Sequence, residues 1–218
     1  MKKLLLLTGP QGSGNHIFSR IFSRHPLVKG WDKILENYWV PTDEDFFAKY
    51  FIDPSQLTKD IFESSDYFVT DISCPFVYDG NVKIPKIQEF CEKVESFDIQ
   101  IIICVIVRDE YINIEQQKRL RKGKTLDIAM GEYDKLTYDI NYLSLESLFL
   151  HKHKYLKWIS KILDFPIDLE NPHLFKFLEK SPNEKYVKYV SEYWLDDVVK
   201  NGLIKFKDRV IINNKKIN

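Results

Sequence analysis

The segment Gly9-Pro10-Gln11-Gly12-Ser13-Gly14-Asn15-His16 has the composition of an anion cradle. Glycines at 9, 12 and 14 permit a tight turn and close approach of a charged group to the backbone. The spacing Gly9-x4-Gly14 is that of a phosphate-binding loop, in which successive N–H groups and a helix N-terminus face the phosphate. The two residues after the last glycine depart from that pattern. A loop that carries ATP and Mg²⁺ needs Lys to neutralise the terminal phosphates, then Ser or Thr to hold the metal. Asn15 and His16 stand there instead. Asparagine brings no charge and imidazole suits Mg²⁺ poorly. An anion bound without metal is therefore expected, and an ordinary ATPase or GTPase is not.

Arg108 is the second candidate anion ligand. It follows the apolar run Ile101–Val107, in Val107-Arg108-Asp109-Glu110. An arginine leaving the carboxyl end of a central parallel strand points into the crevice where such sheets bind ligands, and its rigid fork suits a phosphate. The run Lys118, Arg119, Arg121, Lys122 and Lys124 holds no acid. It suits an anionic donor or a sulfated or phosphorylated acceptor, with a solvated surface loop as the plain alternative. For proton transfer the candidates are Asp71, in Thr70-Asp71-Ile72-Ser73 at the end of a strand, and His16 at the start of a helix. His151 and His153 are two apart on a predicted helix and face different ways, and His173 is isolated. No cluster has metal-ligand spacing, so no metal is expected. Trp31, Tyr38 and Trp39 can wall an acceptor or fill a core.

These residues need a scaffold. Leu4–Leu7, Tyr67–Ile72 and Ile101–Val107 are continuous apolar runs of the kind covered by helices on both faces. Ile17, Phe18, Ile21 and Phe22 recur at helical spacing after the first run, and Pro26 ends the stretch. Strand, glycine loop and helix open a βαβ unit. The fold class expected is α/β, a three-layer αβα sandwich around a mainly parallel sheet. Further helices are expected at 43–50, 55–64, 83–96, 110–120, 151–163 and 186–199, with strands at 142–145 and 204–212. A single domain is expected over 1–212, with 165–212 as a helical extension and 213–218 as a polar tail.

A chain of 218 residues buries a full core without disulfides or metal. Lys plus Arg and Asp plus Glu number 32 each, so net charge is zero and a wholesale polyanion binder is excluded. No nucleic-acid partner is expected. Three widely spaced cysteines, Cys74, Cys91 and Cys104, form no disulfide framework, which fits a reducing cytoplasm. No apolar run reaches the length of a membrane span. The opening Met1-Lys2-Lys3 and four leucines are broken by Gly9-Pro10, too early for a secretion signal.

The order of these motifs resembles the sulfotransferases, of the P-loop NTPase-like superfamily, as a divergent member with a degenerate phosphate-binding loop. That family carries a Lys/Arg-Ser-Gly-Thr loop, a helix, and often His-Pro-x-Val. Here Gly12-Ser13-Gly14-Asn15-His16 is followed by a helix and His25-Pro26-Leu27-Val28. The family's second motif is a strand ending Arg-Asp-Pro with a serine eight residues after the arginine. Arg108-Asp109 match, Glu110 replaces the proline, and Gln116 takes the serine position. A third stretch, Tyr142–Leu148 through Leu163 to Phe165-Pro166-Ile167-Asp168, matches in order, so the resemblance spans Leu4–Asp168. It implies that Gly12, Ser13, Gly14, Asn15 and His16 line a pocket for the 5′-phosphosulfate of 3′-phosphoadenosine 5′-phosphosulfate. It implies that Arg108 and Gln116 hold the 3′-phosphate, and that Glu36, after the first helix, lies near the acceptor as a third acid–base candidate beside Asp71 and His16. Gly12 stands where the family has its catalytic Lys or Arg. The activity implied is sulfuryl transfer from that donor to a hydroxyl of a carbohydrate or small metabolite. The alternatives are a non-catalytic descendant that binds a nucleotide or a protein and, more remotely, an ATP-dependent kinase.

Overall fold

The computed structural model describes residues 1–30, 35, 45–121, 125–184 and 186 of the 218. Chain contacts divide it into two units, Met1–Glu179 and Lys180–Asn218. Of the second unit the described part is a turn, in which the Glu184 N–H donates to the Ser181 carbonyl. The helix expected at 186–199 and the strand at 204–212 lie outside the described residues, apart from Tyr186.

The first unit is an α/β sandwich. Its parallel five-stranded sheet has the order β2-β3-β1-β6-β7, from β1 (Lys3–Pro10), β2 (Val28–Lys29), β3 (Tyr67–Cys74), β6 (Gln100–Val107) and β7 (Ile140–Ser144). Leu4 to Leu7 of β1 are all buried, and alternate residues enter different cores. Leu4 and Leu6 join Phe51, Phe62, Phe90, Val94 and Tyr133 on one face. Leu5 and Leu7 join Phe18, Phe22, Leu148, Ile159 and Phe165 on the other. Burial on both faces explains why β1, β3 and β6 read as unbroken apolar runs.

One helical layer holds α2 (Ile87–Glu95) and α4 (Leu126–Tyr133). The other holds α1 (Asn15–Phe22), α5 (Leu145–His151), α6 (His153–Leu163) and Leu174 of the short α7 (Pro172–Phe177). Helix α3 (Glu110–Arg121) follows β6. The three long strands, α1, α3 and the 151–163 helix were expected. The last divides at Lys152, whose φ of +44° interrupts the ladder between α5 and α6.

Two expected α-helices are not formed. The described part of 43–50 gives one 3₁₀ turn, Ala48–Phe51, and 55–64 gives two, Pro54–Gln56 and Lys59–Phe62. Leu57 and Thr58 are extended between the latter pair, so Leu57 and Phe62 reach the core at a spacing that no single helix face supplies. Phe51 stacks on Phe90 of α2 with ring centroids 4.2 Å apart, and aromatic packing of this kind overrides local helix propensity. The helix expected at 83–96 starts later, at Ile87. Ahead of it β4 (Phe76–Tyr78) and β5 (Asn81–Lys83) form an antiparallel hairpin around Asp79-Gly80, both at positive φ. An Asp-Gly turn between short apolar segments is a hairpin signal in its own right.

Candidate active site

The sheet order sets where ligands can bind. From β1 the chain goes to β3 on one side and later crosses to β6 on the other. The carboxyl ends of β1 and β6 therefore flank the switch point of the sheet, where connections diverge and leave a crevice. The glycine loop leaves β1 there and Arg108 leaves β6.

In the loop, Gly12 and Gly14 have φ of +85° and +107°, a region that L side chains rarely adopt. Gly14 is the N-cap of α1, and its carbonyl accepts from Ile17 and Phe18. The N–H groups of Asn15 and His16 precede that ladder and carry the positive end of the helix dipole. A Cβ on Gly14 would lie 3.0 Å from a methyl of Leu145. Gly14→Ala is therefore expected to cost about 1–2 kcal/mol, mostly from the left-handed backbone, read as a lower urea midpoint at unchanged slope.

Side chains brace this turn from inside. Ser13 and Asn15 are buried. The Ser13 hydroxyl donates to Asn15 Oδ1 at 2.7 Å, and Asn15 Nδ2 donates to Ser73 Oγ at 3.1 Å. The Ser13 N–H is taken by the Pro10 carbonyl at 3.0 Å. Ser13 therefore shapes the loop, and Asn15 can offer a ligand its backbone N–H.

From the β6 side, α3 grips the loop carbonyls. Asp109 caps α3, its Oδ1 accepting the Ile112 N–H at 2.9 Å, which fixes Arg108 immediately before the helix. Arg108 Nη1 donates to the Gly12 carbonyl at 2.7 Å and to Gln116 Oε1. Asn113 and Gln117 are buried, one turn apart, and both donate to the Gln11 carbonyl, at 3.2 and 2.7 Å. Gln117 Oε1 also accepts the Thr125 N–H at 2.8 Å. Neither Asn113 nor Gln117 was a sequence candidate. Their signal was a polar i, i+4 pair on the helix that begins beside Arg108.

The acid–base candidates meet on the other side of the loop. Val69, Asp71 and Ser73 are alternate residues of β3. Val69 packs in the core that contains α1, Ser73 meets Asn15, and Asp71 meets His16. His16 Nδ1 lies 2.7 Å from Asp71 Oδ1, with side-chain exposures of 38% and 0% respectively. This contact, an ion pair only when the imidazole is protonated, is a polar approach to the buried Asp71 carboxylate among the described residues.

Asp45 is a buried acid that the sequence did not single out. Strand β2 covers only Tyr67 and Phe68 of β3, so the outer edge of β3 beyond them has no strand partner among the described residues. Asp45 sits on that edge. Its Oδ1 accepts from the Phe47 N–H at 2.7 Å and the Thr70 hydroxyl at 2.8 Å, and its Oδ2 faces the Asp71 N–H at 3.4 Å. Burial first, and then the neighbouring Asp71 carboxylate, push the Asp45 carboxyl up from its ordinary 3.8 to about 7. The folded state thus holds this proton more tightly than the unfolded chain does. Its stabilisation is fully present below about pH 4 and is lost as pH rises through about 7. Asp45→Asn removes the titration. Between about pH 5 and pH 8 the urea midpoint of the variant is expected to gain on that of the wild type.

Of the remaining sequence candidates, Glu36, Trp31, Tyr38 and Trp39 lie outside the described residues, as does 122–124 of the basic run. Lys118 of that run pairs with Glu115 at 2.6 Å. Burial pushes the three thiols up, Cys74 to about 12, so none is a ready nucleophile. Among the described residues no group of three or more His, Cys, Asp or Glu is placed to hold a metal ion, and no helix is long and apolar enough to cross a membrane.

No family model matches the chain, and no curated protein matches it. Among solved structures, it is similar to a mouse sulfotransferase, SULT7A1, complexed with PAP. The identity is 11% and the TM-score 0.45, over 83% of this chain and 64% of that one. The chain thus spans under two thirds of the length of the structure it matches.

Proposed function

We propose that this protein is a sulfotransferase-like enzyme that transfers a sulfuryl group to a hydroxyl of a carbohydrate or small metabolite. The observation that carries the reading is the convergence of two segments 96 residues apart: Arg108 Nη1 donates to the Gly12 carbonyl at 2.7 Å and meets Gln116 over the glycine loop. A loop with helix amides on one side and a guanidinium with an amide on the other suits a ligand carrying two separate anionic groups. When bound, 3′-phosphoadenosine 5′-phosphosulfate supplies the sulfuryl group.

The N–H groups of Gly14, Asn15 and His16 bind the 5′-phosphosulfate, in a turn held by Ser13 and the Asn15 side chain. Arg108 and Gln116 hold the 3′-phosphate. The guanidinium also stands against Gly12, the position of the family's loop cation, so positive charge absent from the loop comes from β6. His16 takes the proton of the acceptor hydroxyl at Nε2. Asp71, against Nδ1, fixes the tautomer and balances the imidazolium that forms. Ligand binding and chemistry need no metal in this scheme. The nucleotide donor and its acceptor are the partners, in a cytoplasmic setting.

Calorimetric titration with 3′-phosphoadenosine 5′-phosphate, against ATP with and without Mg²⁺, tests the donor site. Metal-independent binding of the bisphosphate is expected. Binding of ATP only with Mg²⁺, or binding of neither nucleotide, would overturn the reading. A non-catalytic nucleotide-binding protein is the second reading, favoured by the lack of a side chain at Gly12 and the engagement of Arg108 with the loop itself. Turnover separates the two.

A further inference from the structure

Both ends of α4 are tied to β1 and to the loop that leaves it, and one side-chain amide closes the circuit. At the carboxyl end of α4, Tyr133 is buried and its hydroxyl lies 3.1 Å from Thr8 Oγ1. The Thr8 hydroxyl gives its proton to the Ile72 carbonyl at 2.8 Å, so Tyr133 is the donor in that pair. At the amino end, Thr125 is the N-cap, and its N–H donates to Gln117 Oε1 at 2.8 Å. The Gln117 amide in turn donates to the Gln11 carbonyl and to Asn113 Oδ1, each at 2.7 Å. Thr8 and Gln11 are three residues apart, so these contacts bracket the turn from β1 into the glycine loop.

Gln117 is buried, and its partners allow its amide one orientation. Reversed, the amide would set its oxygen against the Gln11 and Asn113 oxygens and its N–H₂ against the Thr125 N–H. The Gln11 carbonyl takes a second bond from Asn113 Nδ2 at 3.2 Å, which fills both of its lone pairs. A trans peptide places its C=O and N–H on opposite sides, so this grip turns the Gly12 N–H away from α3. The next peptide is set by Arg108 on the Gly12 carbonyl and by the Ser13 N–H on the Pro10 carbonyl.

We infer that Gln117 is a positioning residue that couples the glycine loop to the start of α4, so that the order of each segment depends on the other. Its bonds run to the backbone of both segments, and it is not among the groups that meet the ligand in the scheme above. Such coupling is reciprocal: a ligand that orders the loop also orders the Thr125 end of α4. The effect on nucleotide affinity rests on the function proposed above, whereas the tie between loop and helix does not.

The test is amide hydrogen exchange by NMR on the full chain, in wild type, Gln117→Met and Asn113→Ala. Methionine keeps the length and apolar bulk of the side chain and removes all three bonds. Thr125 then exchanges faster because its own partner is gone. The informative amide is Ser13, which bonds to Pro10 inside the loop and to neither altered side chain. Gln117→Met is expected to speed Ser13 exchange by about tenfold, the scale of one buried hydrogen bond, with the Ile103 amide of β6 unchanged. Asn113→Ala removes one of the two bonds on Gln11 and leaves Thr125 with Gln117. It should speed Ser13 less and Thr125 not at all. Ser13 exchange at the wild-type rate in Gln117→Met, or in Asn113→Ala if the first variant does not fold, would overturn the inference. Calorimetry with 3′-phosphoadenosine 5′-phosphate on the same proteins separates the two claims. Gln117→Met should weaken binding by about 3- to 10-fold. No binding by the wild type, with Ser13 faster in the variant, sinks the nucleotide reading and leaves the coupling standing. Binding with Ser13 unmoved does the reverse.

Discussion

Arg108→Ala is expected to lower the affinity for 3′-phosphoadenosine 5′-phosphate by about 10- to 100-fold, the range of one or two charge-assisted hydrogen bonds to a phosphate. The effect has two sources. The first is the direct loss of the guanidinium. The second is loss of the brace on Gly12, whose carbonyl accepts from Arg108 at 2.7 Å. Stability should change little, because Arg108 is only half-buried and water can replace it at the Gly12 carbonyl. Asn113 and Gln117 still hold the adjacent Gln11 carbonyl in the variant. Arg108→Lys keeps the charge but not the fork, and should fall between the two. Calorimetry with the bisphosphate measures all three proteins. Equal affinity of Arg108→Ala and wild type would remove Arg108 from the site.

The sequence made the scaffold of this site legible where burial imposes a simple pattern. Strands β1, β3 and β6 lie inside the sheet and are covered on both faces, so their composition alone marks them. The glycine loop was legible because two left-handed turns leave few residue choices. Less legible were segments whose shape is set by what they pack against. Residues 54–62 form separate 3₁₀ turns because Leu57 and Phe62 enter one core at a spacing that no single helix face supplies, Phe62 packing against Phe47 and Phe68. Asp45 was illegible for a related reason. Nothing around it in the chain distinguishes it from a surface acid, and its burial follows from the early end of β2, a strand of two residues. Asn113 and Gln117 mark the opposite case: buried amides on a helix face carry a cost unless they have partners, so their spacing was a signal.

His16→Ala carries the largest expected effect on turnover, a loss of about 10²- to 10⁴-fold, the usual contribution of a positioned base. Asp71→Asn should approach the same loss although it leaves the shape of the site intact. An asparagine amide can present its N–H₂ to Nδ1, which turns the imidazole to the tautomer with its proton on Nε2, and a base protonated there cannot accept from a hydroxyl. Neither change touches the amides of Gly14 and Asn15 or the Arg108–Gln116 contact. Affinity for the bisphosphate should therefore stay within about threefold of wild type, a split that general damage to the fold would not produce. The double variant decides whether the two side chains act as one unit. If Asp71 works through His16, the double variant is no slower than His16→Ala, whereas independent contributions would multiply. Release of the bisphosphate from the sulfuryl donor, followed across a panel of hydroxyl acceptors, measures all four proteins. Full turnover in His16→Ala would move the base elsewhere. Full turnover in Asp71→Asn alone would leave His16 as the base and make its ring orientation the work of neighbours other than Asp71.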